Sequence, residues 1–432
     1  MLYRPIWFVL LFIYRVFFKR FYTSGFENIL MDKPTIFIGN HVNAFLDPLM
    51  LPTQFWKKIY FIVRGDIFNT PFKRWLLWQT HQMPMFRERD GRNSVHKNEA
   101  TYEKSYDLLG KKGWILIFSE GDCVQEKHLR PIKKGTARMA FGAIEKYGWD
   151  LDVHLIPTTE NYTHPSKFRT EVLMNVGKPI RLKDYKELYE EEKVKAINKL
   201  TKEIEIGMKA SYIHIENRAD LGLFEQLIEI ERNNEPEHLL PWRIHNSDRF
   251  NREQKVANFI NDTRIKGEEN IELLQNSTTE YFNRLKSLKI HDGFFRENEP
   301  NVIFGSLLIA LFFPVYVIGY ILNIGQYKLA DYIAMNKIKM IHFKNSIRMG
   351  VILAINSIIV FILMVVFSME NIFLGLSVPF IATILAWVTI TYKELTIRLI
   401  DQVKFRSVRK NNGKEIAEIQ KARNELARLF GQ

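Results

Sequence analysis

The chain predicts an α/β fold: a mixed sheet flanked by helices, followed by a helical region and C-terminal transmembrane helices. Three observations lead there. Between about residues 34 and 182, short β-branched or aromatic runs alternate with helical stretches. Residues 183–300 turn rich in Glu, Lys and Asn, with apolar residues at helical spacing. Beyond 301 come three long runs without a charge, at 302–324, 351–367 and 372–390.

At the N-terminus, Pro5–Tyr14 is apolar and aromatic and is bracketed by Arg4 and Arg15. Such a run is too short to cross a bilayer core about 30 Å thick. It is followed by no small-residue cleavage site, so a signal peptide is not expected. Residues 1–25 therefore read as an interfacial membrane helix, its cations snorkelling while its aromatics sink.

Residues 26–183 form the α/β domain. Its strands are expected at Thr35–Gly39, Ile59–Val63, Met83–Phe86, Trp114–Phe118, Val153–Pro157 and Val172–Val176. Helices fall at Ser94–Leu109 and Thr136–Tyr147. Residues 184–300 read as a helical connector domain, with Leu221, Phe224, Leu227, Ile228 and Ile230 along one stripe and the charge runs as solvated faces.

Residues 301–392 are expected in the membrane. The runs 351–367 and 372–390 are joined only by Ser368-Met369-Glu370-Asn371, which predicts an antiparallel hairpin. Lys337, Lys339, Lys344 and Arg348 precede it, and Lys393, Arg398, Lys404 and Arg406 follow. The excess of cations puts both flanks, and the charged tail 393–432, on the cytoplasmic side. A simple span at 302–324 would place the α/β domain opposite that basic loop. Pro314 and Gly319 interrupt the run, and a re-entrant hairpin there would keep both sides together.

With 432 residues, the chain has room for two or three domains. Its 61 Lys and Arg against 48 Asp and Glu leave a formal charge of +13, which favours anionic partners such as lipid headgroups or phosphorylated substrates. The cations form no dense block, which argues against nucleic acid. A single cysteine, Cys123, excludes an intrachain disulfide and any cysteine-based zinc site. None of the 11 histidines stands in a His-Glu-x-x-His arrangement, and no metal is expected.

Residues 40–48 read Asn-His-Val-Asn-Ala-Phe-Leu-Asp-Pro directly after an apolar strand. His41 thus falls at a strand end, where a cleft can open. Asp47-Pro48 reads as an N-cap and first helical residue. On a continuous helix six positions span roughly 600°, which does not align the pair. A strand-end loop entering a helix can bring them together. Asp47 would then fix one imidazole nitrogen, leaving the other to accept a hydroxyl proton. Other strand ends add Phe86-Arg87, with Arg89 and Arg92 beyond, and Phe118-Ser119-Glu120-Gly121. The stretch 129–138 places Arg130, Lys133, Lys134 and Arg138 around a helix start. A base and several phosphate-binding cations would share one sheet edge.

This order resembles the glycerolipid acyltransferase family, over about residues 30–182. His41 and Asp47 match the catalytic His and Asp of the family's first block. Phe86-Arg87 matches the second, whose Arg serves acceptor binding. Phe118-Ser119-Glu120-Gly121 matches the third, usually Phe-Pro-Glu-Gly, and Leu155-Ile156-Pro157 the fourth, near the acyl site. Five residues separate His41 from Asp47, where the family usually has four. That longer gap, with Arg130-Pro131-Ile132-Lys133-Lys134-Gly135, is similar to glycerol-3-phosphate and dihydroxyacetone-phosphate acyltransferases. Asp122-Cys123 stands where many members have Thr-Arg, and Arg87, Lys133 or Arg138 could substitute for that phosphate contact.

The resemblance implies a membrane-bound O-acyltransferase of phospholipid synthesis. It would move an acyl chain from acyl-CoA or acyl-carrier protein to glycerol 3-phosphate or 1-acylglycerol 3-phosphate, with no cofactor. The site implied is His41 and Asp47 for catalysis and Arg87, Glu120, Gly121, Lys133, Arg138 and Pro157 for substrate. Two rival readings exist. One makes Cys123 a covalent nucleophile. The other is a non-catalytic membrane protein that binds anionic lipid or docks a partner.

Overall fold

Apolar and aromatic residues at the N-terminus form helix α1 (Tyr3–Phe17), which buries Tyr3, Leu10, Tyr14 and Phe17. The structure is a computed structural model describing residues 2–87, 95–235, 243–244, 248–296 and 301–431. Arg89 and Arg92, expected near the site, lie outside the described residues. The chain divides into two units. The first is Met1–Ile213 with Arg243–Ser247 and Ile341–Ser346; the second holds the remainder.

In the first unit β1 (Arg20–Ser24) and β2 (Thr35–Gly39) precede a short α2 (Asp47–Met50). Then come β3 (Ile59–Arg64), α3 (Pro71–Gln79), β4 (Gln82–Met85), α4 (Glu99–Gly110), β5 (Trp114–Phe118) and α5 (Gly135–Tyr147). The unit continues through β6 (His154–Tyr162), β7 (Glu171–Val176), β8 (Ile180–Arg181), α6 (Lys186–Glu191) and α7 (Lys193–Ser211). After α8 (Leu221–Arg232), which belongs to the second unit, β9 (Arg243–Ile244) returns to the sheet.

The nine strands run β4-β3-β5-β2-β6-β7-β1-β9, with β8 beside β6. Strands β4, β3, β5, β2 and β6 are parallel, and β7 turns antiparallel to β6. The central β2 and β5 are continuous apolar runs, as strands covered on both faces must be. From β2 the chain moves toward β3, and from β5 it moves the other way toward β6. Neighbouring strands that leave in opposite directions open a crevice at their C-terminal ends. Gly39 pairs with Phe118, so both strands finish at that crevice.

The core beneath the sheet joins Ile36, Ile38 and Ile115 to Met139, Ala140 and Phe141 of α5. It also takes in Ala196, Leu200, Ile204 and Met208 of α7, beyond the residue 183 at which the sequence places the domain's end. Spacing reveals that stripe but not the surface it covers. Strand β1 falls within residues 1–25, which the sequence reading gives wholly to the interfacial helix; the helix ends at Phe17, and Glu171 accepts from Arg20 at 2.8 Å where β1 pairs with β7.

The second unit holds α8, α9 (Arg249–Lys266), α10 (Glu268–Ser287), α11 (Val302–Asn336), α12 (Ile341–Glu370) from Ile347 onward, α13 (Ile372–Asn411) and α14 (Gly413–Gly431). Buried Asp292 accepts from Tyr281 OH, from Asn233 Nδ2 at 2.7 Å and from Arg423 Nε at 2.8 Å, pinning α8, α10 and α14 together. Three helices, α11, α12 and α13, are long and apolar enough to cross a membrane.

One expectation is corrected here. Helix α11 is continuous over 35 residues, with Pro314 inside it, so no re-entrant hairpin forms at 302–324. Proline removes one backbone bond but does not break a helix whose neighbours support it. Helix α13 packs along α11. A Cβ on Gly305 would fall 2.7 Å from Leu399, and one on Gly319 would fall 2.9 Å from the Leu385 carbonyl. These small residues let two helices approach closely, as in membrane-protein interfaces. Tyr392 donates to the Ile309 carbonyl at 3.1 Å and stacks on Tyr316 at 4.4 Å.

Candidate active site

Strand β2 delivers Asn40 and His41 to the crevice. The Asn40 amide is clamped to β6, its Nδ2 donating to Glu160 O at 3.0 Å and its Oδ1 accepting from Glu160 N at 2.7 Å. The chain then folds back on itself, with Leu46 N donating to Asn43 O at 2.8 Å. That turn brings His41 Nδ1 to 2.9 Å from Asp47 Oδ2. The ring is 21% exposed and stacks on Phe118, centroids 4.3 Å apart, whereas Asp47 is fully buried. With Nδ1–H donating to the carboxylate, Nε2 is the free acceptor of a proton.

Asp47 does not cap α2 in the way its position before Pro48 suggests. Its Oδ2 takes the upstream amides of Val42 and Asn43, each at 2.7 Å, and its Oδ1 takes Tyr162 OH at 2.6 Å. The five intervening residues are what this doubled-back loop consumes. Behind Asp47 sits Glu160, buried and within 3.4 Å of Tyr162 OH. Burial and the nearby Asp47 charge hold its carboxyl well above the usual carboxylate range. From α1, Tyr14 OH donates to Leu46 O at 2.9 Å and steadies the loop.

Strand β5 delivers Glu120 and Gly121. Gly121 adopts φ +78°, in the left-handed region that favours glycine. Glu120 faces inward: Oε1 accepts from His41 N at 3.2 Å and Oε2 from Arg130 N at 3.0 Å. Burial pushes its carboxyl up to about 7, against the pull of those two amides. It thereby ties the loop after β2 to the stretch before α5, at a position the sequence reading expects to contact substrate.

Arg87, at the end of β4, comes within 3.7 Å of Asp122 Oδ1 and so joins the β5 end. Lys133 and Arg138 are exposed at the start of α5. Pro157 is buried in β6 and packs against Gly177 and Gly207, a core position rather than a wall of the cleft.

Sequence reasoning missed Tyr162 and Glu160, since β6 was expected to end at Pro157. It also missed Ile341–Ser346. There Ser346 Oγ accepts from Phe45 N at 3.1 Å, and Phe343 meets Phe45 at 5.6 Å. The fully buried Asn345 donates to the carbonyls of Pro165 and Lys167 at 2.6 and 3.0 Å. No local signal links positions so distant in sequence.

Donor atoms of His41, Asp47 and Cys123 lie within 4.8 Å of one another. They do not suit a metal. Both Asp47 oxygens are engaged, and Cys123 Sγ accepts from Ala44 N at 3.2 Å. Burial, then the Asp47 charge, pushes the thiol up, so it keeps its proton and is neither a ligand nor an activated nucleophile.

The first unit is thus a largely parallel α/β sheet with a carboxylate-held histidine at its switch point. Residues 20–159 match the model of the Acyltransferase family. Among curated proteins, 108 residues are 34% identical to glycerol-3-phosphate O-acyltransferase 2 of Saccharomyces cerevisiae, covering 25% of this chain and 14% of that protein. An 81-residue stretch is 36% identical to glycerol-3-phosphate O-acyltransferase 1 of the same yeast, covering 19% and 10%. An uncharacterized acyltransferase of Schizosaccharomyces pombe is 33% identical over 173 residues, covering 39% and 25%. The chain thus spans a quarter or less of these relatives. The crystal structure of the 1-acyl-sn-glycerophosphate acyltransferase PlsC of Thermotoga maritima aligns with 43% of this chain and 71% of its own, at 18% identity and a TM-score of 0.30. A likeness that low carries no argument.

Proposed function

We propose that the protein is a membrane-bound O-acyltransferase that moves an acyl chain from acyl-CoA or acyl-carrier protein to glycerol 3-phosphate or its 1-acyl derivative. The observation that carries this reading is the His41–Asp47 pair, its carboxylate fully buried and its ring open to the crevice.

His41 Nε2 removes the acceptor's hydroxyl proton as the oxygen attacks the thioester carbonyl. The tetrahedral intermediate collapses, the C–S bond breaks, and the imidazolium returns its proton to the departing thiolate. A thioester is activated enough that no acyl-enzyme is required, and base catalysis of this kind supplies about 10²–10⁴-fold. Asp47 holds the ring in one tautomer and stabilises the imidazolium. Arg87, Lys133 and Arg138 are the cations assigned to the acceptor's phosphate. The similarity to two yeast glycerol-3-phosphate O-acyltransferases favours glycerol 3-phosphate over the acylated acceptor.

We take the catalytic unit to face the cytoplasm, a reading supported by the cations on both flanks of the 351–390 segment. Washed membranes supplied with labelled acyl-CoA and each acceptor in turn provide the test. Labelled lysophosphatidic acid from glycerol 3-phosphate is the expected product. Transfer to neither acceptor, with either donor, would return the protein to the non-catalytic lipid-binding reading.

A further inference from the structure

Helix α3 is built from Pro-Phe-Lys-Arg-Trp-Leu-Leu-Trp-Gln, and none of its side chains is buried. Phe72, Trp75 and Trp78 are 67%, 52% and 44% exposed. Its start is well specified all the same. Thr70 accepts from Lys73 N at 3.3 Å, and Pro71 occupies the first turn. A helix capped so well and left with its aromatics in the open has an unmet partner.

The sheet indicates which surface this is. The connections β2→β3 and β3→β4 run one way across the sheet, while β4→β5 and β5→β6 run the other way. Right-handed crossovers then put α2 and α3 on one face and α4 and α5 on the opposite one. Helix α1 shares the face of α2 and α3: Trp7 Nε1 donates to Pro52 O at 2.8 Å, and Tyr3 stacks on His81 at 4.7 Å. Phe8 and Trp56, each 60% exposed, extend the patch, with the Arg4 guanidinium 3.7 Å over the Trp56 ring. The other face is covered by α4, α5 and α7.

Charge selects the occupant. Neither α1 nor α3 contains an acidic residue, and Lys73 and Arg74 flank the α3 aromatics. Lys104 Nζ lies 3.8 Å from the Trp78 ring centre. Tryptophan mixed with cations is the composition of a bilayer interface, whereas lysine is depleted at protein–protein contacts. The same chain carries three helices of bilayer length, so a lipid surface is within its reach.

We propose that α3 docks on an anionic bilayer, sinking Phe72, Trp75 and Trp78 to the headgroup boundary beside α1. The inference does not depend on acyl transfer. In the test, full-length Cys123→Ser protein is reconstituted in phosphatidylcholine vesicles with and without phosphatidylglycerol. Single cysteines at 72, 75 and 194 carry a nitroxide; Val194 is an exposed residue of α7 and reports water. Labels at 72 and 75 should collide with oxygen several-fold more often than with a nickel chelate, and the label at 194 the reverse. Protection at 75 should weaken without phosphatidylglycerol and in the K73Q/R74Q protein. Nickel access at 72 and 75 equal to that at 194 would overturn the proposal. Shielding from both reagents would do so as well, by revealing a protein neighbour.

Discussion

Four donors converge on the Asp47 carboxylate, and each comes from the segment 41–43 or from β6. Tyr162→Phe removes one of them inside a fully buried site, at a cost of about 1–3 kcal/mol. The expected outcome is a drop in kcat of roughly tenfold or more with KM nearly unchanged, read from steady-state transfer rates. Cys123→Ser, by contrast, should keep most turnover, because the thiol remains protonated. Glu120 gives a pH signature. Its folded pKa is raised to about 7, so the folded state binds the extra proton more tightly than the unfolded chain. Its contribution is fully present below the ordinary carboxylate pKa and is lost as pH rises through about 7. Thermal unfolding in detergent should show a midpoint that falls over that range, and Glu120→Gln should flatten the slope. The dyad was legible because Asn40-His41 and Asp47-Pro48 sit at a strand end and a helix start. Glu160 and Tyr162 were not, since Tyr162 reaches Asp47 across 115 positions of sequence.

Among the elements, β2 and β5 were readable to the residue, being uninterrupted apolar runs that tolerate no other placement. Strand β6 was not, because its outer half, Thr-Thr-Glu-Asn-Tyr, is polar and is held by partners such as Asn40, which bonds the Glu160 backbone, and Asn175, which pairs with Thr159. The same limit hides helix pairing: hydropathy locates α11, α12 and α13 but does not say that α13 lies along α11. Glycine makes that contact testable. Gly319→Leu should force the helices apart, and a disulfide between cysteines placed at 309 and 392 should then form slowly or not at all. Unchanged cross-linking would mean that the helices do not meet there. Asn345→Ala removes the two hydrogen bonds to the Pro165 and Lys167 carbonyls and should lower thermal stability by about 1–3 kcal/mol.

At the scale of the molecule, the described residues of 214–296 hold no helix of bilayer length and hydropathy, and Ile341–Ser346 belongs to the α/β unit. Cysteines introduced at 290 and 340 are expected to react with an impermeant reagent from the same side, which would mean that the continuous α11 does not cross the bilayer. Reaction from opposite sides would show that α11 separates them. The central claim concerns one imidazole. In membranes bearing His41→Ala, transfer of labelled acyl groups from acyl-CoA to glycerol 3-phosphate should fall by about 10²-fold or more, while the protein stays in the membrane fraction. Wild-type rates from that variant would contradict the account.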